Sequence, residues 1–227
     1  METLTQKFIS FGPSCIAAEV LKACKMREKT YGFDWFRSGS IHHKLFFKID
    51  NESFVSNVVM RPSIYFKQEG KLSDKKNRTV ELQQQRILYG YDILYNPHRD
   101  YNREAEGYFR RAFNRIDLRM KWNEEVPRPI LLMADYMNKK HYTYFNCPFE
   151  SAKYVIYNAL LKYGYMPKVV IIRFMIVGEE SWAKDNIEME ERNNIQVYKI
   201  PISDEVDRCE KKRRIFYSSI SEYLVNL

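Results

Sequence analysis

The sequence predicts an α/β fold: one domain over residues 1–227, built on a mainly parallel β-sheet with helices on both faces. Three features of the chain carry that expectation. Ile130–Ala134, Val169–Ile176 and Ile195–Ile200 are short, continuous apolar runs of the kind found in strands buried on both faces. They alternate with helical patterns at Phe149–Tyr163 and Val206–Leu224, which supply the covering layers. Near the start, a β-prone run, a tight turn and an amphipathic stretch open a βα unit. Together these describe a Rossmann-like sheet.

The first strand is Lys7–Gly12, closed by Gly12-Pro13. Ser14 is placed to cap a helix from Cys15 to about Met26, with Ile16, Ala17, Val20, Leu21, Ala23 and Cys24 on its apolar face. Gly32–Phe36 is an aromatic-rich loop. Ser38 or Ser40 then caps a helix that turns Ile41, Leu45, Phe46 and Ile49 inward, leaving room for at most one of His42 and His43 on the inner face. Ser53–Met60 reads as a further short helix. Residues 64–95 change character to alternating strand-like text around a polar tip at Lys71–Arg78, which predicts a β-hairpin insertion. The longest helix runs from about Asn102 to Trp122, with Ala105, Tyr108, Phe109, Ala112, Phe113, Ile116 and Met120 as its stripe. Gly164 is a C-cap candidate for the helix before it.

Composition narrows the function classes. A hydrophobic share of 45% and an aromatic share of 15% exclude wholesale disorder. No apolar run reaches the roughly 18 residues of a membrane helix, and the polar start does not read as a secretory signal. Four cysteines without a CxxC spacing predict reduced thiols in a cytoplasmic setting, with no metal site and no cofactor motif. The net charge of +8 fits a Lys-rich soluble surface, and it also suits an anionic ligand or partner. Its densest cluster is Lys211-Lys-Arg-Arg214. There is no strong nucleic-acid signature.

Chemistry in an open parallel sheet collects beyond the carboxyl ends of the strands. Cys15 is the residue placed there, at the start of the first helix, where unpaired N–H groups and the helix dipole favour a thiolate and can hold an oxyanion. The alternative is a small buried residue in a tight turn. Among the histidines, His98 in Asn96-Pro-His-Arg-Asp100 is the candidate base, oriented by Asp100 or Asp34; His141 reads as an exposed loop residue. Asp92 and Asp135 stand near strand ends as candidate paired carboxylates. Arg110, Arg111, Arg115 and Arg119 read mainly as a solvated helix face.

Phe11-Gly-Pro-Ser-Cys15, Tyr31-Gly-Phe-Asp-Trp-Phe36 and Asn96-Pro-His-Arg-Asp100 ahead of an Arg-rich helix resemble an uncharacterised family of bacteria, fungi and large DNA viruses labelled papain-like cysteine peptidases. The likeness spans roughly residues 8–134. It implies Cys15 as nucleophile and His98 as base, Asp34 and Trp35 lining the site, and Arg110 and Arg111 as its paired basic positions. Two positions depart from the family pattern: Gly32 stands where a proline precedes Phe33, and Arg99 separates His98 from Asp100. The turn Ser10-Phe-Gly-Pro-Ser14 also resembles that of SGNH esterases. There Ser14 would be the nucleophile, but no histidine follows His141 to complete a triad, so this likeness implies only an SGNH- or flavodoxin-like sheet.

Two functions follow as expectations. One is a cysteine hydrolase or transferase acting on an unknown small-molecule, peptide or acyl substrate through Cys15, His98 and Asp34 or Asp100. The other is a catalytically silent binding protein that uses Ser14, Asp34, Trp35 and nearby arginines such as Arg37 to hold an anionic ligand. A composition rich in Lys, Asn, Tyr, Ile and Phe suits an AT-rich viral genome, which makes a host protein a further candidate partner.

Overall fold

The computed structural model describes residues 8–12, 15–27, 29–35, 40–59, 103–121, 127–137, 147–178 and 187–225. Five strands form one sheet in the order β1-β2-β3-β5-β4, where β1 is Phe8–Ser10, β2 Ile130–Tyr136, β3 Lys168–Val177, β4 Glu188–Arg192 and β5 Ile195–Ser203. β1, β2, β3 and β5 are parallel, and β4 runs antiparallel at the edge. The expected α/β architecture, mainly parallel with helices on both faces, is therefore observed.

Alternation along the strands divides the core in two. Ile9, Phe11, Leu131, Met133, Val169 and Ile171 point to one face. That face is covered by α2 (Ser40–Lys48), α3 (Asn51–Phe54), α4 (Arg103–Met120) and α5 (Pro148–Tyr163). Phe8, Ile130, Leu132, Ala134, Val170 and Ile172 point to the other, under α1 (Ile16–Ala23), α7 (Glu210–Ser219) and α8 (Ser221–Val225). The first face is aromatic: Phe11, Phe33, Phe46, Phe54 and Phe113 meet mostly edge-on or tilted, with centroids 4.8–6.1 Å apart. Such pairing adds to the burial each ring already contributes. Gly32 opens the 3₁₀ turn Gly32–Trp35 against this cluster, where a Cβ would fall 2.1 Å from the Phe113 ring. A β-carbon fits there only if the Phe113 ring moves.

Several local expectations are corrected. α1 starts with Cys15 as its N-cap and makes no side-chain capping bond; Ser14 lies outside the described residues. His42 and His43 are both buried, at 3% and 2% exposure, although only one was expected to face inward. The buried arc of α2 is His42, His43, Phe46 and Phe47, while Leu45 and Ile49 are only partly covered, because α2 is packed against α5 as well as the core. Asp50 caps α3, accepting from the Ser53 N–H at 2.8 Å, and α3 passes directly into a π turn at Val55–Val59. The closing helix is three pieces. α6 (Asp204–Arg208) is capped by the Ser203 hydroxyl, Cys209 is extended, and Ile220 separates α7 from α8. β4 was not expected at all. Its sequence Glu-Met-Glu-Glu-Arg is charged and mostly exposed, and it joins β5 through a tight turn with Asn193 at φ 55°. Gly164 does cap α5, with φ 78°. The hairpin expected at residues 64–95 lies outside the described residues.

Candidate functional site

The β1 strand ends beside β2, and pairing continues past it: Phe11 N–H donates to the Leu132 carbonyl at 2.8 Å and Ala134 N–H to the Gly12 carbonyl at 3.1 Å. Cys15 follows, half-buried, where α1 leaves the sheet. The expected thiolate is not what its surroundings favour. Burial, the Glu19 carboxylate one helical turn on and a hydrogen bond to that carboxylate push the thiol up to about 12, against smaller opposing effects from a backbone hydrogen bond and Arg213. Cys24, half-buried on the same helix, donates its S–H to the Tyr217 carbonyl at 3.1 Å and is also pushed up to about 12 by burial. Both are protonated at neutral pH. Cys147 is exposed and Cys209 half-buried, and all four cysteines are free.

Of the histidines, His42 and His43 are described. His43 packs 4.9 Å from the centroids of Phe11 and of Phe33, in the core of the sheet face opposite α1. Burial first, and His42 second, hold it neutral down to about pH 3. His98, Asp100, Arg37 and His141 lie outside the described residues, as does the side chain of Trp35.

Asp34 is fully buried and serves as a structural anchor. Ser10 Oγ donates to one of its oxygens, and Arg27 Nη2 and the Tyr31 N–H donate to the other at 2.5 and 3.0 Å. Arg27 also donates to Thr30 Oγ1 at 3.1 Å, and Arg115 Nε to the Thr30 carbonyl at 2.8 Å. Asp34 thereby ties β1 and the segment after α1 to the 3₁₀ turn, and Arg115 joins α4 to the same segment through Thr30. Burial raises Asp34 from 3.8 to about 7 despite the nearby Arg27 and the Tyr31 N–H.

Arg110 stands on the opposite sheet face from Cys15 and clamps α4 to its neighbours. It meets Glu106 at 2.7 Å, Ser56 Oγ at 3.0 Å and Glu52 at 3.0 Å. Arg111 beside it is exposed. Arg119 reaches the Pro127 carbonyl at 3.2 Å, so three of the four helix arginines have specific contacts where a solvated face was expected. Asp135 is no free acid. Arg173 grips it through two bonds of 2.9 and 3.0 Å directly across β2 and β3. Asp92 lies outside the described residues.

Arg213, Glu19 and two tyrosines form the polar cluster that the sequence reading missed. Arg213 donates to the Asp207 carbonyl at 2.7 Å, and the Tyr136 and Tyr217 hydroxyls are 3.1 Å apart. Burial opposes the Arg213 charge, but Tyr217, Glu19, Tyr136 and Asp207 together more than offset it and raise its pKa. The helical spacing of α7 contained the signal: Arg213 lies three and four residues before buried Phe216 and Tyr217, on the same face. Lys212 is instead paired outward with Glu205, and Arg214 with Glu210 at 2.5 Å.

Between α1 and α7 runs a groove of about 610 Å³, lined by Glu19, Lys22, Ala23, Arg27, Glu210, Arg213, Arg214, Ile215 and Ser218. That volume lies within the usual range for small-molecule sites. Glu19 and Arg213 belong both to the groove and to the surroundings of Cys15. Among the described residues no group of three or more His, Cys, Asp or Glu side chains could hold a metal. No described helix is long and apolar enough to cross a membrane. Comparison with family models, with curated proteins and with solved structures finds no match to this chain.

Proposed function

We propose that the chain is a binding protein that takes an anionic ligand in the α1–α7 groove, with Cys15 a resting thiol beside it. The observation that carries this reading is the groove lining: Lys22 and Arg213 stand there beside the single carboxylate of Glu19, while Arg27 is paired with Asp34 and Arg214 with Glu210. It lies on the face of the sheet that α1 covers, along α1 from Glu19 to Ala23 and on to Arg27. Arg213 is held in place by the Asp207 carbonyl, which reduces the ordering cost of gripping an anion.

Thermal unfolding at low salt, with and without a panel of small organic anions, tests the reading. At least one anion should raise the melting temperature of the wild type, and the gain should vanish in the double variant Lys22→Gln/Arg213→Gln and shrink in high salt. No stabilisation by any anion, or full stabilisation of the double variant, contradicts it.

The hydrolase reading keeps one structural support, the half-exposed position of Cys15 at the turn after β1. It needs His98 as its base, and it needs the proton to leave a thiol that burial and Glu19 retain.

A further inference from the structure

We infer that the ligand of the α1–α7 groove is a monocarboxylate with a short hydrocarbon body, rather than a phosphate or a nucleotide. This rests on the anion-binding reading above and narrows it.

The cations of the groove are not equally available. Arg27 is committed to the buried carboxylate of Asp34 at 2.5 Å and Arg214 to Glu210 at 2.5 Å. Lys22 is exposed and has no ion pair among the described residues, and Arg213 uses Nη1 on a backbone carbonyl. The charge left to receive a ligand is therefore that of Lys22 and Arg213, with Glu19 sharing the groove beside them. A planar carboxylate matches the guanidinium fork and brings a single negative charge. A phosphate dianion would bring a second charge toward Glu19, which repels it.

The rest of the lining favours hydrocarbon. Ile215 is 63% exposed, a large apolar side chain facing the groove and water, and Ala23 lies across from it on α1. Covering them with an alkyl chain removes apolar area from water. Among the described lining residues there is no aromatic ring, so a nucleobase would lack a stacking partner.

The test titrates the full chain with sodium acetate, butanoate and hexanoate, and separately with inorganic phosphate and adenosine monophosphate, followed by calorimetry and amide NMR shifts. Affinity should rise roughly two- to fourfold per methylene added. Shifts should centre on Lys22, Ala23, Arg213 and Ile215. Arg213→Gln should weaken hexanoate about tenfold or more, as expected for loss of a charge-assisted hydrogen bond. Because Arg213→Gln also loses a bond to Asp207, a second variant guards against misfolding: Ile215→Asn, at an exposed position, should weaken hexanoate while leaving acetate unchanged. Phosphate or the nucleotide binding at these residues while the carboxylates do not would overturn this inference and leave the anion-binding reading standing. Binding of acetate and hexanoate with equal affinity would also overturn it. If none of the five anions binds, both fail.

Discussion

Asp34, expected to line the site, anchors the segments around it. Its carboxyl is buried with Ser10, Arg27 and Tyr31 around it, and burial raises it from 3.8 to about 7. The sign of the stability effect follows from linkage. In the unfolded chain the group ionises near 3.8, while in the fold it keeps its proton to about 7, so the unfolded state releases its proton first. The stability this group contributes is complete below about pH 4 and declines as pH rises toward 7. Denaturant unfolding from pH 4 to 8 should show that decline, and Asp34→Asn should flatten it; a pH slope that survives the substitution contradicts the assignment. Gly32 sits against the Phe113 ring. Its missing Cβ leaves room for the Phe113 ring, so Gly32→Ala should destabilise the fold by about 1–3 kcal/mol through overpacking. A neutral result in chemical denaturation would show that Phe113 can move aside.

Among the elements, β2 and β3 were legible in the sequence because continuous apolar runs have few other solutions. What the runs did not reveal was the ion pair inside them. Asp135 read as a candidate acid because its partner, Arg173, is 38 residues away and meets it only once the two strands pair. Removing one member of such a buried pair leaves an unpaired charge, so Asp135→Ala should cost about 3–5 kcal/mol. The double variant Asp135→Leu/Arg173→Met should recover much of that loss, as double-mutant unfolding would reveal. β4 was invisible for the opposite reason. An exposed, charged edge strand has no apolar pattern, and its charges guard the open edge against further pairing. α7 lies between these cases. Its stripe was readable, but the Lys211–Arg214 run masked the fact that Arg213 sits on the inward side while Lys212 and Arg214 pair outward.

For the whole molecule, the sheet sorts the candidate residues onto two sides. α1 with Cys15 and α7 with Arg213 cover one face; α2 with His43 and α4 with Arg110 cover the other. That separation was not accessible from sequence, because motifs close together along the chain say nothing about which face each helix takes. The α/β class and the position of Cys15 after the first strand were accessible, since they follow from apolar runs and turn residues alone. The protonation of Cys15 was not, because it depends on how deeply the packed fold buries the sulfur as well as on Glu19.

On the proposed function, Cys15 is a resting thiol near the α1–α7 groove and no activated nucleophile. Its alkylation rate with iodoacetamide, measured from pH 6 to 11 by peptide mass spectrometry in wild type and His98→Ala, tests this most directly. Labelling should be slow, should not accelerate below about pH 10, should lag the exposed Cys147 throughout, and should be the same in both proteins. Fast labelling near neutral pH that slows when His98 is removed would contradict it and restore the hydrolase.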